Sequence, residues 1–469
     1  MSDKLKVRKG LDIPLAGVAE KALVDVREGG LYAIKPTDFV ALTPKLAVKE
    51  GELVKAGSTL FFDKNNPAIC FTSPVSGTVK EVVRGDRRMV LAVTVESDGK
   101  MESASFATGA TQKDQIVELM LSSGLWTMLR QRPFGTIANP ADKAKAIFVS
   151  CFDSAPLAPD FDFVMKGREN DFVAGVKALA ALTEGKMHLS FRPGQQLKSA
   201  VENAKIANVV LHEVEGPHPA GLVGTQISMV DPINAGERVW TMDVQSIATL
   251  GHLIATGEYR PQRVVAFAGP VAKKPCYYNT LAGACVMSMV EEQMADVAAR
   301  LPKETSSYRL ISGNVLTGTR IEANGFLGAY DSLLSVIPEG DYYEFMGWLM
   351  PRFRKFSFSR SFLSGFFAGC KSSCASASQK GKYKFDTNFH GEERPLVVTG
   401  SFERVVPIDI YPLQLIKAAV IGDIELMENL GIYEVEPEDL ALCEFIDTSK
   451  TEIQTIIREA LEKCRKESC

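Results

Sequence analysis

His212, Glu213, Glu215 and His218 are crowded into the stretch HEVEGPHPAGLVGTQISMVDP, residues 212–232. Imidazoles and carboxylates are common ligands for zinc and harder cations. The spacing does not match HExxH, however, and Pro217 and Pro219 break the regular backbone such a motif needs. A loop contacting a partner or a small ligand accounts for the composition better than a metal site, and a purely structural loop accounts for it equally. Its site-like residues are His212, Glu213, His218, Pro219 and Gly221.

Cysteine is the second source of chemistry. Cys370 and Cys374 form a C-x₃-C pair in a Ser/Ala-rich stretch, Cys443 has no near neighbour, and Cys464 and Cys469 end the chain. A common iron–sulfur cluster takes four thiolates, typically from a C-x₂-C-x₂-C-x₃-C-P run. That run is absent, so the expectation is no cluster and no metal in this chain. No G-x-G-x-x-G follows a strand in the α/β region and no P-loop occurs, which removes the usual signals for a nucleotide site. With five histidines and no G-x-S-x-G, no catalytic residue can be assigned.

The elements that carry these residues are legible in outline. LYAIKP, TLFFDKNNPAICF and VLAVTVES are short apolar strands separated by turn residues. Within 49–83, Gly51 and Gly57 bracket one turn, and Pro74 and Gly77 shape another. This pattern resembles the barrel-sandwich fold of biotinyl and lipoyl carrier domains. Lys64 in DKNNP stands roughly where a carrier lysine would, although an ordinary turn residue explains it as well and no mobile linker follows. QIVELMLSSGLWTMLRQRPFG (115–135) reads as helical. AIFVSCF reads as a buried strand, and NDFVAGVKALAALTEG as a helix capped by Gly185. The strand–helix alternation suggests a Rossmann-like core. Residues 261–335 return to strands, and helical periodicity resumes from about 401.

The expected architecture is therefore multidomain α/β and β. Residues 1–104 form a barrel-sandwich domain, 105–260 a Rossmann-like domain, and 261–340 a β-grasp domain of ligand-binding type. An aromatic and basic segment plus a C-terminal helical domain fill 341–469. The segment 342–369 carries Arg352, Arg354, Lys355 and Arg360 against one acid, Glu344, and is a candidate docking face for a membrane subunit or an anionic headgroup layer. With a net charge of −4, nothing suggests a nucleic-acid partner. No run approaches the 18 apolar residues of a spanning helix. The charged start, MSDKLKVRKGLDIPL, does not read as a secretory signal, which leads to an expected cytoplasmic location.

Five stretches carry a wider resemblance: VRKGLDIPLAG (7–17), TSPVSGTVKEVVRGDRR (72–88), HEVEGPHPAGLVGT (212–225), VWTMDVQSIATLGHLIATGEY (239–259) and PEDLALCEF (437–445). In this order they resemble the A subunit of the Na⁺-translocating NADH:quinone oxidoreductase family. That family is related to the C subunit of the ferredoxin:NAD⁺ complex and to the NADH-binding subunit of complex I. The resemblance implies a peripheral subunit on the cytoplasmic face of the cell membrane, with no NADH, flavin or Fe–S site of its own. FAD, FMN, riboflavin and Fe–S centres would sit in partner subunits. The membrane-embedded B subunit would be the principal partner, and ubiquinone or menaquinone a small-molecule contact. The chain departs from the family pattern at GTQISMVDP after the PHPAGL loop, at Trp240-Thr241, and at Cys443, where a C-x₃-C-P remnant is reduced to one thiol. Two other readings stand beside this one: a lipoyl-like carrier modified at Lys64, and an autonomous flavin-dependent NADH dehydrogenase.

Overall fold

A computed structural model describes residues 3–26, 29–294, 297–303, 305, 307–352, 355–358, 362–364 and 383–467. Arg354, Arg360, Cys370, Cys374 and Cys469 lie outside these residues.

Two small sheets face each other in the first domain. One orders strands Leu31–Ile34, Val90–Ser97, Gly77–Arg84 and Leu53–Val54; the other orders Pro44–Leu46, Thr59–Asp63 and Cys70–Thr72. Phe61 and Phe71, a cross-strand pair of the three-stranded sheet, are buried and stack with ring centroids 4.6 Å apart. The SPVSG turn is as tight as its residues require: a side chain on Gly77, at φ 155°, would meet the Glu96 carbonyl oxygen at 2.0 Å. Lys64 is exposed in the turn between Thr59–Asp63 and Cys70–Thr72.

The second domain is built on a seven-stranded sheet. Its parallel part runs Asp3–Lys6, Val209–Glu215, Lys186–Phe191, Ala146–Ser150 and Val239–Thr241; Arg130–Arg132 and Thr136–Ile137 continue it antiparallel. The strand order reverses between Ala146–Ser150 and its neighbours, giving an open α/β sheet with a topological switch point there. Helices Glu169–Ala180 and Val244–Thr256 cover one face. They approach closely because glycines meet backbone: a Cβ on Gly175 would lie 2.0 Å from the Ile247 oxygen, and one on Gly251 would lie 1.8 Å from the Asp171 oxygen.

Two local expectations are corrected. The helix expected over 115–135 is the α-helix Lys113–Ser122, followed by a single 3-10 turn at Leu125–Met128. Gly124 turns left-handed at φ 78° against Thr72, and residues 130–132 pair as a strand with Val239–Thr241 instead. Gly185 does not cap a helix, because Glu169–Ala180 ends at Ala181. It admits the Lys145 carbonyl, which a Cβ would meet at 1.9 Å.

A six-stranded mixed sheet forms the third domain, in the order Thr319–Ile321, Tyr308–Ser312, Leu333–Pro338, Gln262–Ala268, Cys276–Leu281 and Leu23–Asp25. Asp3–Lys6 and Leu23–Asp25 fall within the first 104 residues, yet they extend the second and third sheets. The N-terminal segment thus ties these two domains together. The C-terminal helices Pro412–Ile421, Ile424–Asn429, Ala441–Ile446 and Ile453–Glu467 close on their own apolar core around Leu415, Ile416, Leu440 and Ile457.

Candidate functional site

The loop after Val209–Glu215 lies at the carboxyl end of the parallel sheet, where open α/β folds place ligands. Here it is filled by protein. His218 is 3% exposed. Its backbone N–H donates to the Asp12 carboxylate at 2.9 Å, and its carbonyl accepts from Leu11 N at 2.8 Å. Gly10 makes this approach feasible, since a Cβ there would meet the His218 oxygen at 2.1 Å. Ser154 Oγ lies 3.0 Å from His218 Nδ1 and accepts from Gly221 N at 2.7 Å, which leaves the hydroxyl proton available to the imidazole. Burial pushes the His218 pKa down to about 4, so the ring is neutral at pH 7.

His212 and Glu213 go elsewhere, because neighbouring residues on a strand point to opposite faces. His212 Nε2 lies 2.9 Å from His188 Nδ1, and the His188 ring stacks on Phe148 at 4.5 Å. Burial, with His212 beside it, lowers His188 to about 4. Glu213 receives a 2.6 Å hydrogen bond from Lys198, which holds its carboxyl below the usual range. The five loop residues are therefore split between sites. Among the described residues, no three His, Cys, Asp or Glu side chains are grouped to hold a metal ion.

The sequence reading missed what lies beside this loop. Arg132, only 5% exposed in its side chain, donates to Glu438 at 2.6 Å and to Asp439 at 2.7 Å. Arg458 adds a 2.9 Å bond to Glu436 and a 2.7 Å bond to the Phe134 carbonyl. Burial raises Asp439 and Glu436; at Glu438 the charges of Arg130 and Arg132 outweigh burial and lower it. Gly224 opens the space, since its Cβ would lie 2.4 Å from Asp439 Oδ1. This cluster fastens the C-terminal helical domain to the second sheet. Its partners are about 300 positions apart in sequence, and no local pattern announces them.

A second junction joins the first three domains around a cavity of about 50 Å³. Phe71, Met128 and Leu327 share its wall with Lys35, Thr249 and Arg263. Arg263 donates to Asp243 at 2.6 Å, and Lys35 lies 3.2 Å from Asp38. Burial raises Asp38 even so, and burial with Arg263 nearby lowers Arg168 to about 10. Ligand pockets usually enclose about 300–1,000 Å³. A space of about 50 Å³ whose apolar wall carries a few polar groups instead suits a few waters.

Comparison with known proteins agrees with this architecture. The profile of an "NqrA N-terminal barrel-sandwich hybrid domain" matches residues 5–98, an "NqrA second alpha/beta domain" matches 111–259, and an "NQRA C-terminal domain" of SLBB type matches 264–323. Fold and profiles together define a chain of barrel-sandwich, α/β and SLBB units in that order. Full-length relatives narrow it further. The A subunit of the Na⁺-translocating NADH-quinone reductase from Haemophilus influenzae strain 86-028NP is 35% identical over 99% of this chain and 100% of its own length. The A subunits of the same reductase from Neisseria meningitidis serogroup B (36%) and Serratia proteamaculans (37%) cover both chains equally well. This chain belongs to the family of Na⁺-translocating NADH-quinone reductase A subunits. A NAD⁺-reducing [NiFe]-hydrogenase structure overlaps 69% of this chain and 60% of its own at 15% identity, with a TM-score of 0.32, too slight a likeness to support an argument.

Proposed function

We propose that the chain is a peripheral, cytoplasmic-face subunit of a Na⁺-translocating NADH:quinone reductase. It packs against the membrane-embedded B subunit and organises the complex, while NADH, flavins and iron–sulfur centres are handled by partner subunits. The observation that carries this reading is similarity along the full length to the A subunits of such reductases. Among the described residues, no helix is long and apolar enough to cross a membrane. Among the described cysteines, Cys151 and Cys443 are buried, and burial pushes both thiols well above their ordinary value.

A quinone contact belongs to the same reading. His218, Pro219 and Gly221 are closed in by protein, and the three-domain cavity of about 50 Å³ is water-sized, so the head group would meet this chain at a surface shared with a partner subunit. Calorimetry of a short-chain quinone with the purified chain should then show no binding, and binding to the chain alone would overturn this placement.

The main test is purification from native membranes through a tag on this chain. Recovery of the partner subunits with Na⁺-stimulated NADH:quinone activity supports the proposal; recovery of the chain alone overturns it. Intact mass addresses the carrier alternative. Lys64→Ala should leave the mass unchanged apart from the substitution and shift stability by less than about 0.5 kcal/mol, as expected for an exposed turn residue.

A further inference from the structure

The basic residues expected to form a docking face are already engaged. Arg352 and Lys355 both hold Glu344, Lys355 at 2.9 Å, and Asp386 accepts from the Tyr342 hydroxyl that also faces Lys355. The tip of the barrel-sandwich hairpin is built differently. Its strands, Gly77–Arg84 and Val90–Ser97, meet neighbouring strands only as far as the pairs Ile34–Val93 and Leu53–Thr78. Beyond Val82 and Val93, among the described residues, they pair only with each other, forming a finger that ends in residues 84–89, RGDRRM. Arg84, Arg87, Arg88 and Met89 are all exposed there.

The charges along the finger are sorted by level. Lys80 is paired with Glu96 at 3.4 Å. Glu50 accepts from Val82 N at 2.9 Å, and Glu81 lies opposite Thr94, so both acids sit at the base. Past that level the finger holds three arginines and one acid, Asp86. Among the described residues, none of the three arginines has a carboxylate within ion-pair distance. The chain as a whole carries −4, so this tip is not part of a general cationic surface.

The backbone gives a second, independent observation. Arg87 and Arg88 take φ 53° and 61°, and Met89 N donates to the Asp86 oxygen at 3.1 Å. Both central residues of the turn are therefore left-handed. Hairpins commonly place Asn-Gly at such positions, because a larger side chain resists that backbone. Arg84 Nη1 donates to the Arg88 carbonyl at 3.3 Å and helps to close the turn. Strained residues of this kind cluster at ligand contacts. Here the strain holds two guanidinium groups at the outermost point of the finger. Guanidinium forks match phosphate oxygens. Cytoplasmic loops of membrane proteins carry an excess of Lys and Arg and would repel this tip, whereas anionic lipid headgroups attract it.

We infer that the 84–89 hairpin tip docks on the phosphate headgroups of an anionic membrane through Arg84, Arg87 and Arg88. The inference rests on the peripheral membrane placement proposed above and adds the surface and the chemistry of its partner.

The test is flotation of the purified full-length chain with vesicles of phosphatidylcholine alone or mixed with phosphatidylglycerol. The wild-type chain should float with the anionic vesicles only, and should leave them as salt is raised. The R87N/R88G double variant should lose at least about tenfold in partitioning. Asn-Gly suits the turn, so this variant should unfold at a higher temperature than wild type, which separates lost binding from lost folding. Lys64→Ala, at another exposed basic turn of the same domain, should float normally. The inference is overturned if wild type stays at the bottom of the gradient, or if R87N/R88G floats equally well. Purifying tagged wild type and tagged R87N/R88G from membranes separates the two proposals. Partner subunits recovered with a wild type that never floats would leave the peripheral-subunit reading intact and remove the lipid contact. Loss of the partners by a variant that floats like wild type would assign the tip to an acidic surface of a partner subunit, again overturning the lipid contact. Flotation that R87N/R88G loses, with no partners recovered by either chain, would support the lipid contact and count against the subunit reading.

Discussion

The two domain junctions of this molecule are both polar, yet they are built differently. At the C-terminal junction, Arg132 and Arg458 meet three carboxylates, and neighbouring glycines bring backbone and side chains into direct contact. At the three-domain junction, the ion pairs Arg263–Asp243 and Lys35–Asp38 border a cavity that water can enter. A filled junction penalises the loss of any partner, because nothing replaces it. A junction with a cavity can substitute water for a lost hydrogen bond. The first is suited to fastening, the second to rearrangement.

The largest expected effect comes from breaking the filled junction. Arg132→Ala leaves Glu438 and Asp439 without their buried cation and should cost about 3–5 kcal/mol in urea unfolding. The C-terminal helices should be the part that is released, read as faster hydrogen exchange over 412–467. A loss below about 1 kcal/mol would remove the distinction between the junctions.

Acid tests a third closed polar region, the buried histidines of the parallel sheet. The His218 pKa is pushed from 6.5 to about 4, so in the pH interval between these values the unfolded chain takes up a proton that the folded chain refuses. The stability is fully present above pH 6.5 and is lost as pH falls towards 4. That displacement corresponds to an upper bound of roughly 3–4 kcal/mol. His188, also near 4, acts in the same direction. Urea midpoints measured across this range should fall with acid, and His218→Gln should flatten the fall.

Ser154→Ala should follow, costing about 1–3 kcal/mol, since His218 Nδ1 and Gly221 N both lose their partner in a place closed to solvent. The smallest effect is expected at the cavity. Thr249→Val removes an acceptor from Arg168, now 3.2 Å away, but water can take its place, so the loss should stay near or below about 1 kcal/mol. A loss as large as that of Ser154→Ala would mean that this cavity is as closed to water as the surroundings of His218.

Much of the candidate site could be read along the chain, and its meaning could not. His212, Glu213 and His218 are adjacent in the sequence and look like one constellation. On the strand, alternation sends His212 to His188 and Glu213 to Lys198, and the loop then carries His218 to Ser154. Ser154 and Asp12 gave no signal, because a lone serine or aspartate in a loop has no periodicity to betray it. The helix at 113–122 was legible, but its end at Gly124 was not, since the following residues are apolar enough to suit either element.

By itself the sequence determined the domain types. Turn glycines fix the barrel-sandwich corners through backbone angles that side chains resist, and alternating strands and helices require an α/β sheet. It also determined the absence of long apolar runs. Only the tertiary structure decided that the first 26 residues tie two other domains together, and that Arg132 meets Asp439 across 307 positions. The physical reason is that backbone angles and periodicity act between near neighbours and leave a mark in local composition. Ion pairing and close packing between domains act through space, and any residue of suitable charge or size, wherever it lies in the chain, can supply them.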